Sequence, residues 1–265
     1  MRNSQLFWGG ILLLVGGFML ASEFGIRLPN GMSLMELLWP LGLILGGLWV
    51  LFGVFLRGKV EVENASIDLQ GANSAALKIS HGAGELNIHS GANPNELAHG
   101  TFAGGLDHKA TRSGDRLEVR MRPAKDVMDF PFFGPRVQLD WDVALNPQIP
   151  TALTLNVGAN KSMLDLRDLN LTDLKLETGA SETKVTLPAR GRYRADFDLG
   201  AASLEVTVPD GLSARIRVSV GMAGVSVDES RFPRNGNYYQ SPDFDSAANS
   251  VDMTIDAGAA SIKVR

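Results

Sequence analysis

Four glycines recur at a fixed interval in the second half of the chain. Gly158, Gly179, Gly200 and Gly221 are each 21 residues apart, and each follows a stretch in which apolar and polar residues alternate. A second alternating run follows each glycine, as in GASETKVTL at 179–187. Alternation with a period of two predicts strands that bury one face. A repeat of about twenty residues with two such runs predicts stacked coils, each burying its apolar edge against the next.

The same pattern opens the domain at Gly82 and closes it at Gly258. Gly258 follows Gly221 by 37 residues, which is one repeat plus an excursion of sixteen, and we expect residues 228–250 to fold over the last coil. The glycines predict a tight bend that a side chain would block. Residues 60–265 are therefore predicted to form an all-β domain, a single-stranded parallel β-solenoid with about 21 residues per coil.

The first 59 residues have a different character. Residues 6–22 and 37–56 are uncharged stretches of 17 and 20 residues, and about twenty apolar residues span a bilayer. We predict a transmembrane helical hairpin over 1–59; a cleaved signal peptide is disfavoured because a second span follows almost at once. Gly42 and Gly46 form a GxxxG pair that predicts close helix packing, although glycine is also simply common in membrane helices.

The distribution of charge bears on location and partners. Placing both ends of the hairpin in the cytoplasm puts three basic residues inside and one outside, which predicts a multi-pass cell-membrane protein with a cytoplasmic solenoid. The remaining 206 residues carry 21 basic and 27 acidic side chains without basic clusters, which argues against a nucleic-acid partner. The chain contains no cysteine, which excludes disulfides and thiolate metal sites.

No pattern in the sequence indicates catalysis. The four histidines are not paired at metal-ligand spacing, and no phosphate-binding or hydrolase motif is present. In the predicted register, Glu177 and Asp198 stack as neighbouring carboxylates, as in some carbohydrate-active enzymes. We favour a solvated face, with the charges offset by Lys175 and Arg217, over an acid pair. The prediction is a protein that is not an enzyme and has no cofactor or metal.

Two loops carry large apolar side chains that can either cap the solenoid or contact a partner. We favour the cap and keep partner contact as the alternative. The candidate contact residues are Met128, Phe130, Phe132 and Phe133 in the first loop, and Tyr238 and Tyr239 in the second.

Two parts of the sequence resemble known families. Residues 8–17 with Trp39-Pro40-Leu41 resemble the LiaI/LiaF-like transmembrane region of bacterial envelope-stress proteins, and residues 141–160 and 237–264 resemble the toast-rack/LiaF C-terminal type of β-solenoid. LiaF-like proteins commonly have more than two spans. The resemblance implies a non-enzymatic, membrane-anchored sensor or regulator of cell-envelope stress that acts through protein–protein interaction, for example with a sensor kinase or another membrane regulator.

The alternative function is that of a membrane-anchored structural scaffold that forms homo-oligomers through its solenoid. The last alternating run ends at Val264, next to Arg265, so we expect the final strand to lack a cover. An uncovered edge strand invites pairing with another chain.

Overall fold

The computed structural model describes residues 62–124 and 139–265, together with the single residue Ile44. The predicted hairpin over 1–59, including Gly42 and Gly46, lies outside the described residues, as do Met128, Phe130, Phe132 and Phe133. No helix within the described part of the chain has the length and apolar character needed to cross a membrane.

Residues 62–124 and 139–265 form an all-β structure, as predicted. The described ranges contain thirteen strands: β1 Val62–Asp68, β2 Ser74–Ser90, β3 Glu96–Ala103, β4 Leu106–Ser113, β5 Arg116–Pro123, β6 Trp141–Leu145, β7 Thr151–Asp165, β8 Leu171–Thr186, β9 Arg192–Thr207, β10 Ser213–Val227, β11 Arg234–Asn235, β12 Tyr238–Gln240 and β13 Ser250–Val264.

Six long parallel strands form the repeat region, in the spatial order β2-β7-β8-β9-β13-β10. Each is 15 to 17 residues long and continues through its glycine. The expectation of two short strands per coil is therefore corrected: each coil holds one strand with two halves, here called the first arm (before the glycine) and the second arm (after it). This is a β-solenoid-like repeat fold.

The glycines stack in a row across the six long strands, here called the glycine row. A Cβ on Gly158 would lie 2.4 Å from the carbonyl oxygen of Gly82, and one on Gly200 would lie 2.7 Å from that of Gly179. Such distances are shorter than any ordinary contact between nonbonded atoms. Close approach of neighbouring backbones therefore explains why these positions are glycine.

The core consists of side chains that repeat at the same position in every coil. Leu155, Leu176 and Phe197 lie opposite one another on β7, β8 and β9, and all are buried. Pro188 lies between β8 and β9, and its carbonyl accepts a hydrogen bond from the Tyr193 hydroxyl at 2.9 Å. The apolar alternation in the sequence thus becomes buried rows that run along the stack.

The strand order differs from the order in the sequence. β13 lies between β9 and β10, and it pairs in parallel register with both. The predicted uncovered final strand is therefore wrong, and β10 is the last of the long strands. The excursion over 228–250 allows this because it forms the short β11–β12 hairpin on β10 and then returns the chain beside β9.

The region before the regular repeat explains why the glycine spacing fails between Gly82 and Gly158. The first arm of β2 pairs with β5, whereas its second arm pairs with β6. Antiparallel strands continue the sheet beyond β5 and beyond β6. β4 pairs with β5, while β3 pairs with both β6 and β1. Of the two alternating runs in this region of the sequence, the run at 116–121 lies in β5, and the last residues of the run at 137–143 lie in β6.

Candidate interaction surfaces

Three carboxylates form a row on the outward face of neighbouring strands, here called the carboxylate row. Glu177, Asp198 and Asp256 lie opposite one another on β8, β9 and β13. Strands in a sheet are about 4.8 Å apart, so the row places three acidic groups at that spacing. Ser219 precedes Asp256 in the chain, but β13 lies between β9 and β10, so the three acids are consecutive across the sheet.

One lysine offsets part of this charge. The Lys175 ammonium lies 2.5 Å from Glu177, and this partner lowers the pKa of the Glu177 carboxyl. Arg217, expected to flank the row, pairs with Asp252 at 2.8 Å. Among the described residues, neither of the other two acids in the row has an ion-pair partner. The row is therefore a net negative stripe on a solvated face.

A groove of about 700 Å³ runs beside this row, here called the glycine groove. Gly82, Gly158, Gly179 and Gly200 line it together with Glu177, Asp198 and Arg122, among others. Its lining includes the close-packed glycine backbones. A glycosidase requires an acid with a raised pKa, whereas the pKa of Glu177 is lowered by Lys175. The geometry suits contact with a basic surface better than hydrolysis of a sugar.

A second groove, of about 460 Å³, lies on the outward face of β1, β3, β6 and β2. Its lining includes His89, His99 and Asp142. His89 directs Nδ1 at the Ser90 carbonyl (2.7 Å) and Nε2 at Asp142 (3.1 Å). Both ring nitrogens therefore face acceptors, which favours the doubly protonated ring. The hydrogen bond to Ser90, then Asp142, raises the pKa of His89.

His81 has the opposite environment on the same strand. It is buried at the first-arm end of β2, donates from Nε2 to the Leu139 carbonyl at 2.7 Å and packs edge-on against Trp141. Its Nδ1 has no hydrogen-bond partner among the described atoms. Burial lowers the pKa of His81, so the ring is neutral. The alternation in the sequence puts His81 at an inward position, in line with Leu77 and Ile79, and His89 at an outward one, but it does not indicate their hydrogen-bond partners.

The β11–β12 excursion packs on the first arm of β10. Phe232 is fully buried and belongs to the same core as Ile216. Tyr239 lies opposite Ile216 and is half-buried, and Tyr238 is half-buried beside the Arg215 guanidinium. The excursion is therefore a cap over this arm. Both tyrosines keep exposed surface, and their contact with a partner stays a prediction.

Within 62–124 and 139–265, no group of three histidine, aspartate or glutamate side chains is arranged to hold a metal ion. His89 and His99 line one groove, but their ring nitrogens bond carboxylates of different residues, Asp142 and Glu96. The described residues therefore provide charged and grooved surfaces, without an assembled metal site.

One solved structure agrees with this architecture. A solved structure from Clostridium sporogenes, described by a proposed role in cell adhesion, is similar at a TM-score of 0.67 and 22% identity, covering 78% of this chain and 99% of that one. A second, a proposed adhesin from Bacteroides fragilis, aligns with 8% identity at a TM-score of 0.21, covering 78% and 98%. No curated protein matches the sequence. The profile of one family matches residues 56–207, more than half of the chain, and this protein therefore belongs to the family described as the N-terminal domain of toast_rack, DUF2154.

Proposed function

We propose that this protein is a membrane-anchored, non-enzymatic regulator of the cell-envelope stress response that acts by protein–protein contact. Membership of the toast-rack family and the grooved, charged surface of the solenoid favour an interaction domain. The anchoring role belongs to residues 1–59, whose two uncharged stretches are long enough to span a bilayer. Their resemblance to the LiaI/LiaF-like membrane region supports the envelope-stress assignment.

The carboxylate row is the observation that carries this proposal. Glu177, Asp198 and Asp256 lie opposite one another on three neighbouring strands, and the first two line the glycine groove. A fixed stripe of one charge gives specificity and speeds association with an oppositely charged partner. The partner is therefore expected to present a basic surface, and a cytoplasmic segment of a sensor kinase or another membrane regulator is the proposed identity.

Location follows from the same proposal. The excess of basic residues flanking the predicted hairpin favours a cytoplasmic solenoid. In this arrangement the hairpin senses the state of the membrane, and the solenoid regulates its partner by direct contact.

The test uses the full chain in its own bacterium. A reporter of the envelope-stress response is measured during treatment with a cell-wall antibiotic, in cells that lack the protein or carry Glu177→Lys with Asp198→Lys. Glu182→Lys is the matched control, because Glu182 is an exposed acid on the second arm of β8 outside the groove lining.

We expect the double variant to change the reporter as strongly as loss of the protein, and the control to behave as the natural chain. An unchanged reporter in cells without the protein would contradict the regulatory role. A response to loss of the protein but not to the double variant would contradict the assignment of the carboxylate row as the contact surface.

A further inference from the structure

The second arm of β10 is an open end of the solenoid. Val225 occupies an inward position, opposite Ile262 of β13, and the matching residues of all the other long strands are at most 1% exposed. These residues are Leu86, Ser162, Thr183, Leu204 and Ile262. Val225 itself is 37% exposed. The difference arises because no described strand stacks on this arm.

The cap covers only part of the β10 edge. β12 pairs with Arg215, Ile216 and Arg217, and Ile216 is fully buried beneath it. From Val218 to Val227, no strand among the described residues pairs with the outer side of β10. Met222, within this stretch, is 81% exposed. An uncharged edge strand without lysine or proline lacks the usual protection against pairing with another chain.

The sequence of this open stretch is a palindrome. Residues 218–227 read VSVGMAGVSV, which is the same in both directions except for the central Met222–Ala223 pair. Two copies running antiparallel about this centre place Val218 opposite Val227, Ser219 opposite Ser226 and Val220 opposite Val225. Every valine then meets a valine, and every serine a serine.

The bend of β10 at its glycine lets the paired valines of the two copies point to the same face of the sheet. Val218 and Val220 lie opposite Ile255 and Ala257, and Val225 and Val227 lie opposite the buried Ile262 and Val264. All four valines therefore point inward. In a regular strand Val220 and Val225 would point to opposite faces, because an odd number of positions separates them; the bend at the glycine brings both to the inward side. Each opposed pair of valines in the antiparallel arrangement would join two inward side chains and extend the core from one copy into the other.

The backbone is also oriented for this contact. The carbonyl of the inward residue Ala214 points to the outer edge, where it accepts a hydrogen bond from the Ser241 amide. Backbone groups alternate sides along a strand, so those of Val218 and Val220 face the same edge. On the second arm the Asp228 amide points to β13, where it donates to the Val264 carbonyl, so the backbone groups of Val225 and Val227 also face the outer edge. Opposed inward pairs can then exchange both of their N–H···O bonds.

Both ends of the open stretch at 218–227 leave room for the strand of a second copy. β12 begins its pairing at Arg217, directly before the palindrome. The Asp228 amide still donates to the Val264 carbonyl of β13, and the turn that follows, closed by hydrogen bonds to the Asp228 carbonyl, takes the chain away from the edge. The strand of a second copy would end where the cap of the first begins.

We propose that the open second arm of β10 is a homodimer interface, in which two copies pair antiparallel over residues 218–227 and share one continuous core. The occupant is a second copy because the stretch is complementary to itself. The interface borders the carboxylate row, because Ser219 lies opposite Asp256 on the adjacent strand, but it contains none of the three acids. The proposal holds whether or not the protein regulates a stress response.

Disulfide trapping in the full chain tests the antiparallel register of the two β10 strands. The chain has no natural cysteine, so only the introduced cysteines can form a disulfide. Ser219→Cys and Ser226→Cys, on exposed outward positions, are made in separately tagged copies and expressed together. The two positions form an opposed pair with a Cα separation of about 4.5 Å, within disulfide range. Each variant expressed alone is the control, because identical positions would lie about 20 Å apart along the strand.

We expect oxidation to link the mixed copies and to leave each single variant unlinked. Absence of the mixed product, or equal linking of either variant alone, would overturn the proposed pairing. A second measurement is the mass of the chain in detergent by light scattering. Val225→Lys should convert dimer to monomer with an unchanged circular dichroism spectrum, whereas Met163→Lys, at an exposed position of the interior strand β7, should leave the dimer intact. A dimer that survives Val225→Lys would also contradict the proposal.

Discussion

The carbonyl oxygen of Gly82 lies 2.4 Å from the position that a Cβ would take on Gly158, on the adjacent strand. The same relationship recurs along the glycine row, at 3.3 Å between Gly179 and the Gly158 carbonyl. The period of 21 residues therefore reflects a steric requirement of the stack, since a Cβ at these positions would meet the carbonyl oxygen of the neighbouring coil.

Gly158→Ala should destabilise the domain, because the added methyl group overlaps a neighbouring carbonyl oxygen that belongs to the sheet. We expect a loss of about 1–3 kcal/mol in the free energy of unfolding, as for other overpacked sites. Gly179→Val should also be destabilising, because the branched side chain of valine is larger than the methyl group of alanine. The measurement is denaturant unfolding of the full chain in detergent, followed by circular dichroism.

Gly82→Ala is the matched control for this series. Gly82 occupies the first position of the same row, and a methyl group added there would have no described atom within 4 Å. The φ of Gly82 is also outside the left-handed region that favours glycine. Its substitution should change stability by less than about 0.5 kcal/mol. Equal losses for Gly82→Ala and Gly158→Ala would show that the row is not set by close approach.

His81 should make the domain sensitive to acid. Because burial holds the folded pKa of His81 below its ordinary value of 6.5, the unfolded chain binds this proton more readily. Stability should therefore fall as the pH drops below that value. His81→Gln, which keeps a donor for the Leu139 carbonyl, should reduce this dependence; a pH profile of unfolding identical to that of the natural chain would contradict the assignment.

His89 should act in the opposite direction. Its folded pKa is raised by the Ser90 carbonyl and Asp142, so its stabilising contribution is complete below pH 6.5 and is lost as the pH rises through the folded value. The ring is partly exposed, and solvent screening limits the effect to about 0.5 kcal/mol. His89→Gln should remove this contribution to the difference in the free energy of unfolding between pH 5.5 and pH 8. An unchanged difference in the variant would show that another group is responsible.

Phe232→Ala should loosen the cap on β10. The side chain is 1% exposed, and truncation of a buried phenylalanine typically costs about 3–5 kcal/mol. Hydrogen exchange at Ile216 should become faster. Phe244→Ala is the comparison, because the ring of Phe244 is half-buried and mainly supports the Arg215 guanidinium, 4.2 Å away. Unchanged exchange in Phe232→Ala would contradict the capping role.

The repeat could be predicted from the sequence because its physical causes are local. A glycine recurs where a Cβ would meet the carbonyl of the neighbouring coil, and most inward positions carry an apolar side chain. Leu155 and Leu176 follow from alternation and period alone, and so does the opposition of Glu177 and Asp198.

The order of the last strands could not be predicted in the same way. Ile255 of β13 fits beside Phe197 of β9 and beside Val218 of β10, because the inward rows of all three strands are apolar. Insertion of β13 is therefore decided by the path of residues 228–250. The opposite environments of His81 and His89 depend on Leu139 and Asp142, more than fifty positions away, and local pattern does not report such contacts.

Membrane anchoring with a cytoplasmic toast-rack domain is the central functional claim. The most direct test fuses either green fluorescent protein or alkaline phosphatase after Arg265 of the full chain, and scores both in membranes washed with carbonate. We predict a carbonate-resistant, fluorescent chain with no phosphatase activity. Release of the chain by carbonate would contradict the anchor, and active phosphatase would place the domain on the other side of the membrane.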